Sequence, residues 1–294
     1  MRVHGQSGFT LTEIIMVIVI TGILGSMAAV FLRAPVQQYL DIGQRADLTD
    51  IADLALHRMT NDIGTAVPSS VRVAGIAPIY LEFLPTKDGG RYRAVSSTPD
   101  VCAGVAGNAG SGALVFDGAD TCFEILGPAV SFVVDDRIVV GSTQPGGNPY
   151  DTAATGMLRR YAGAAGAQVS AVIDSGFPLA ATDTSQRFEV VPVDQRAVTY
   201  ACIGTLGTLD TNGDGQGKLV RYWNYGFNSA QVAPPVGGSS AVLANKLYTC
   251  GIVVDQSRGL IANTLQFARA SEVISLYQEI HVHSSPTIHV HNTP

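Results

Sequence analysis

Asp210, Asn212 and Asp214 stand at alternate positions of Asp-Thr-Asn-Gly-Asp-Gly, the opening half of a calcium loop in which side-chain oxygens converge on a hard cation. The twelfth position of that loop is Arg221, where a bidentate glutamate would complete the shell. Asn-Gly and Asp-Gly are also the favoured dipeptides of tight hairpin turns, so calcium and a plain turn are both open readings of the segment. The overlapping Gly213-x-Gly215-x-Gly217-Lys218 is not a P-loop, since no glycine stands at Asn212 and no Ser or Thr follows the lysine. His281 with His283, and His289 with His291, alternate as same-face neighbours on a strand do, which suits transition-metal chelation or ordinary surface strand residues. A G-x-S-x-G elbow and an H-E-x-x-H helix are both missing, and His57 is the one histidine outside the first residues and the tail. The expectation is a chain that is not an enzyme and needs no cofactor, calcium excepted.

The four cysteines, Cys102, Cys122, Cys202 and Cys250, form no Cys-x-x-Cys pair, which argues against a zinc knuckle or a thioredoxin-type motif. An even count in an exported chain reads as two disulfides. Three pairings are open, with four buried free thiols as the alternative. The sequence-local pairs, Cys102–Cys122 and Cys202–Cys250, are favoured because each would staple neighbouring strands, and each would contribute roughly 3–4 kcal/mol by loop closure.

These groups must be positioned by the rest of a 294-residue chain, 46% hydrophobic and 14% charged, with a net charge of -6. That is ample for a buried core and unlike a disordered chain. With no block of Lys and Arg, nucleic acid is not an expected partner. The polar start MRVHGQSG precedes FTLTE and an apolar run from Ile14 to Leu32. Phe9 to Leu32 is 24 residues, roughly 36 Å of helix, against a bilayer core of roughly 30 Å. Arg2 keeps the N-terminus cytoplasmic in this reading. Glu13 interrupts the apolar stretch, and an ionisable group there costs about 2.5–3.5 kcal/mol unless it is paired. A free α-amino group at Phe9, on a neighbouring copy shifted by one subunit, would pair it if the chain were cut before that residue.

Gly8-Phe9-Thr10-Leu11-Thr12-Glu13, followed by its apolar run, closely resembles the class III signal of type IV prepilins and type II secretion pseudopilins. The resemblance implies cleavage between Gly8 and Phe9 by a prepilin peptidase, N-methylation of Phe9, and Glu13 as the residue that recognises an adjacent subunit. The mid-helix proline often found in that family is missing, and Pro35 comes later, where it would bend the helix near the membrane exit. An ordinary secretory signal is the rival: Ser26-Met27-Ala28 is a small-x-small site whose cleavage would release a soluble β-rich binding protein starting at Ala29.

Past the membrane, Leu48, Ile51, Ala52, Ala55, Met59 and Ile63 recur at helical steps until Gly64 and Pro68 stop the pattern. Thereafter short runs rich in Val, Ile, Tyr and Phe read as strands: Ile79–Leu84, Ala113–Phe116, Ser131–Val134, Arg137–Val140, Arg187–Val191, Val198–Ile203, Leu219–Phe227, Gly251–Val254, Leu260–Phe267 and Val273–Val282. The stretches 96–112, 141–156 and 228–241 read as long loops. The expected fold is α+β and pilin-like: a leader 1–8, a long transmembrane and assembly helix 9–64, and a β-rich periplasmic head 65–294, which is one domain or two subdomains split near residue 180. From the end of the helix into that head, LHRMTNDIGTAVPSSVRV at 56–73, RFEVV and VTYAC at 187–202, LVRYWNYGF at 219–227 and the closing LYQEIHVHSSP resemble the MshO-type minor pilins of mannose-sensitive haemagglutinin pili. This implies a low-abundance subunit that initiates or caps a pilus, with a J-like minor pseudopilin of type II secretion as the alternative. The implied partners are other pilin subunits through the helix, prepilin peptidase, the inner-membrane assembly machinery and membrane lipid.

Overall fold

The structure is a computed structural model that describes residues 10–96, 98–144, 147–153, 155–178 and 184–282. The chain divides into two units, Met1–Thr49 and Asp50–Pro294, and one helix, α1 (Leu11–Gly64), contributes residues to both.

In the first unit Thr10 caps the helix. Its Oγ1 accepts the Glu13 amide N–H at 3.3 Å, and its carbonyl accepts the Ile14 amide at 3.2 Å. Thr10 and Glu13 thus stand at the spacing of a capping box, with an acidic group in the first turn where the helix dipole favours it. Leu11–Leu32 has a mean hydropathy of 2.6, and none of it is buried. A helix apolar on all sides belongs in lipid or in a bundle. Its hydroxyls are satisfied internally: Thr21 donates to the Val17 carbonyl at 2.7 Å and Ser26 to the Ile23 carbonyl at 2.8 Å. α1 runs unbroken through Pro35, where the sequence predicts a bend.

In the second unit the last turns of α1 bury Ala52, Ala55, Leu56, Met59 and Ile63. Ile51, which its spacing predicts on this stripe, is 44% exposed, because it lies about 100° around the helix from Ala52 at the stripe's centre. A seven-stranded antiparallel sheet follows the order β1 (Arg72–Gly75), β2 (Ile79–Phe83), β11 (Val198–Leu209), β12 (Gly215–Trp223), β13 (Ser239–Asp255), β14 (Leu260–Arg269) and β15 (Glu272–His281). Between β2 and β11 the chain builds a second sheet, ordered β7 (Leu158–Arg160), β6 (Arg137–Val140), β10 (Arg187–Val191), β3 (Asp88–Tyr92), β4 (Cys122–Leu126) and β9 (Ser170–Val172). Ala162 donates to the Val172 carbonyl at 2.8 Å and Asp174 to the Arg160 carbonyl at 3.0 Å, with a bridge between Tyr161 and Ile173. β9 therefore returns to β7, and the six strands close into a small barrel. A ribbon of β5 (Val130–Phe132) and β8 (Gly166–Gln168) completes it.

Alternation along β6 divides the apolar residues. Ile138 and Val140 enter the barrel core with Tyr92, Phe123, Phe132 and Phe188. Val139 points the other way, into a seam with Leu84, Leu158, Val191 and Ala197, against which Tyr225 and Phe227 pack. The head is thus nested. The chain leaves the large sheet after β2 and re-enters it at β11, so no division falls near residue 180.

Several strand expectations differ from the structure. Ala113–Phe116 forms no strand; Leu114 donates to the Arg93 carbonyl at 2.8 Å and Val115 to the Asp120 carboxylate at 2.8 Å. β3, Asp-Gly-Gly-Arg-Tyr, carries no apolar alternation, yet it is an interior strand. Gly90 fits closely there, since a Cβ would lie 3.1 Å from the ring of Phe188, its partner on β10, and the ring would have to yield by a few tenths of an ångström to admit it. The stretch 228–241, read as a loop, ends in the first residues of β13.

Candidate functional site

Glu13 is exposed in the first turn of α1, and among the described residues no cation pairs with it. The proposed cleavage point, Gly8 and Phe9, lies outside the described residues.

The second unit holds two buried polar networks that the sequence did not mark. Asp62, on α1, accepts from the Tyr200 hydroxyl at 2.8 Å and from Arg221 Nε at 2.8 Å, while Arg221 also donates to Gln195 Oε1 at 2.6 Å. Arg221 is buried beneath the helix, and burial together with Asp62 pushes the Tyr200 phenol far above its ordinary range. Asp62 follows Asn61 and precedes Ile63 at the edge of the apolar stripe. A carboxylate bordering a buried stripe was the available signal.

The other network centres on Glu82, which is 1% exposed. Arg72 Nε donates to Glu82 Oε2 at 2.7 Å, and the Tyr225 hydroxyl donates to Oε1 at 2.9 Å. The same guanidinium donates to the carbonyls of Asn228 at 2.7 Å and Ser229 at 2.8 Å, and lies 3.6 Å from the centroid of the Tyr150 ring. Tyr150 donates to the Ser70 carbonyl at 2.8 Å. Burial, with Glu82 next in effect, drives the hydroxyls of Tyr150 and Tyr225 well above their usual range, so both remain donors. Neutral donors around one ion pair are what a buried carboxylate requires.

Asp210, Asn212 and Asp214 come together in the hairpin loop joining Leu209 of β11 to Gly215 of β12. Asp210 Oδ1 accepts the amides of Asn212 and Asp214, each at 2.8 Å. Asp214 is engaged at both oxygens: Lys246 Nζ lies 2.6 Å from Oδ2, and the Ala270 amide donates to Oδ1 at 3.0 Å. The Lys246 bond holds the Asp214 carboxyl below the usual carboxylate range. Gly213 has φ +78°, and a Cβ there would sit 2.3 Å from the Ser271 nitrogen. Among the described residues no cluster of three metal-ligating side chains occurs. His281 is exposed on β15, while His283, His289 and His291 lie outside the described residues. His57 is exposed on α1, 3.3 Å from Asp53.

The cysteines form the disulfides Cys102–Cys122 and Cys202–Cys250. Neither staples paired strands, contrary to the expectation that favoured them. Cys102 lies in a turn beside β4, and Cys202 on β11 is separated from Cys250 on β13 by β12. Residues 249–255 of β13 pair with β14 alone, and this half of the strand brings Cys250 to a Cα–Cα distance of 6.3 Å from Cys202.

No curated protein and no solved structure matches the chain. Residues 3–29 match the family described as the prokaryotic N-terminal methylation motif, so the chain carries a class III prepilin signal ahead of an apolar helix long enough to cross a membrane.

Proposed function

We propose that this protein is a minor pilin. It is inserted in the inner membrane with its N-terminus cytoplasmic and its head periplasmic, cut between Gly8 and Phe9, methylated on Phe9, and then drawn into a filament. The observation that carries this reading is the conjunction of the methylation motif at 3–29 with a helix, Leu11–Leu32, whose apolar residues are all exposed. Such a surface needs lipid before assembly and neighbouring helices after it. Glu13 then serves as the group that pairs with the N-terminus of an adjacent subunit. The head motifs between residues 56 and 286 favour a pilus of the mannose-sensitive haemagglutinin type over a type II secretion pseudopilus.

Intact mass and N-terminal sequencing of the protein from native membranes tests the processing step. A start at methylated Phe9 is expected, whereas a start at Ala29 would remove the assembly helix and the proposal with it. Glu13→Ala is expected to leave membrane insertion intact, since it removes a charge that costs about 2.5–3.5 kcal/mol to bury. It should also reduce incorporation into filaments sharply. Normal incorporation of that variant would remove Glu13 from the assembly step.

In this reading the Asp210–Asp214 loop is a structural turn, supported by the engagement of both Asp214 oxygens with Lys246 and Ala270. Millimolar calcium is expected to leave the thermal midpoint of the full chain unchanged. A saturable rise that Asp214→Asn abolishes would instead make the loop a calcium site.

A further inference from the structure

At one end of the seam between the barrel and the large sheet, arginines gather that lie far apart in sequence. Arg137 and Val139 share the face of β6 that looks away from the barrel core, and Arg160 is the direct cross-strand partner of Arg137 on β7. Arg196 precedes Ala197 of the seam, just after a 3-10 turn at Val193–Gln195. That turn is held against β6 by the Val193 amide, which donates to Asp136 Oδ1 at 3.0 Å. The guanidinium of Arg137 lies 5.8 Å from the centroid of the Phe227 ring.

Most cations around this seam have a carboxylate. Arg160 has Asp135 at 3.0 Å and Asp174 at 3.4 Å, and Lys87 has Asp136 at 2.5 Å. The guanidinium of Arg137 makes one hydrogen bond among the described residues, from Nη1 to the Asp135 carbonyl at 2.9 Å. Arg196 makes no ion pair or hydrogen bond among the described residues, and its Nε is buried without a partner. Burial and the neighbouring Arg196 charge both work against the charged form of Arg137, with Asp174 and Asp135 partly offsetting them. A buried, unsatisfied guanidinium N–H beside a second cation is costly, and a folded chain retains such a group where something satisfies it.

We propose that Arg137 and Arg196 form a binding site for a small monocarboxylate, the carboxylate spanning the two guanidinium groups and its apolar body lying on Phe227. Planar guanidinium donors match a two-oxygen acceptor. Asp135 and Asp174, each paired with Arg160, flank the site, and their charge disfavours a dianion relative to a monocarboxylate. The seam between two β modules is also where ligand sites commonly form.

The test is a titration of the full chain in detergent with sodium benzoate, using sodium chloride at matched ionic strength as the control. The Arg196 Nε–Hε resonance is followed by NMR alongside the thermal midpoint. Benzoate is expected to move that resonance saturably and to raise the midpoint, and chloride to do neither. Arg137→Gln and Arg196→Gln are each expected to weaken binding by about tenfold or more, the loss of a charge-assisted hydrogen bond. An Arg196 resonance that stays fixed to the solubility limit of benzoate overturns the site, even where a variant fails to fold. Equal binding by wild type and variants overturns it as well, and tighter saturable binding of inorganic phosphate overturns the carboxylate assignment.

Discussion

Replacing Arg72 by methionine is expected to lower the stability of the β-rich unit by about 3–5 kcal/mol, the range found when one partner of a buried ion pair is removed. Glu82 is 1% exposed, and after the substitution its carboxylate would keep the Tyr225 hydroxyl alone of its two side-chain donors. The Asn228 carbonyl would lose its guanidinium donor in the same step, and Tyr150 its stacked cation. The Ser229 carbonyl would lose Arg72 but keep the Asn148 side-chain amide at 3.0 Å. Methionine keeps most of the aliphatic volume, so the loss reports the charge and hydrogen bonds rather than a cavity. Adding Glu82→Gln to Arg72→Met removes the uncompensated charge and should recover a large part of the loss. The check is denaturant unfolding of the full chain in detergent, as a double-mutant cycle. A loss below about 1 kcal/mol for the single variant would mean that water reaches Glu82 and that the pair behaves as a surface one.

Phe123→Ala should cost a similar amount, about 3–5 kcal/mol, by a different route. Phe123 is fully buried inside the barrel, 5.3 Å from the Phe188 ring and 6.2 Å from the Tyr92 ring, both in edge-on geometry. Its removal leaves a cavity and breaks two aromatic pairs, each worth about 0.5–1.5 kcal/mol beyond area burial. Phe188 in turn covers Gly90, so the packing across three strands depends on these rings. Phe123→Leu fills most of the space and is expected to be clearly milder. If the two variants were equally stable, the barrel interior would have collapsed around the smaller side chain, and the interlocked-ring account of its stability would fail.

Reading the chain as a linear string recovered those features whose causes are local. The apolar run after Glu13 is visible because membrane crossing demands consecutive apolar residues, and the N-terminal motif because a processing signal is read along the chain. β6 and β10 were legible at Arg137–Val140 and Arg187–Val191, where β-branched and aromatic residues cluster. Even near α1 one local signal was overlooked, the Thr10–Glu13 capping spacing.

Other features depend on where the chain folds back on itself. β3 is mostly glycine and charge, and becomes a strand because β10 and β4 supply its hydrogen-bond partners. The barrel closes through Ala162, Asp174 and a Tyr161–Ile173 bridge, residues that carry no periodic pattern. Cys202 and Cys250 are neighbours in the cysteine order, but they meet because half of β13 leaves β12 and pairs with β14 alone. The same holds for charge. No block of Lys and Arg exists in the sequence, yet cross-strand register and the turn after β10 bring Arg137, Arg160 and Arg196 to one end of a seam. Sequence alone determined an apolar helix long enough to cross a membrane and the methylation motif that overlaps it, because the physics of each is that of one segment. Tertiary structure alone decided the nested barrel, the buried ion pairs and the arginine seam, because each arises from non-local contacts between segments with no shared pattern.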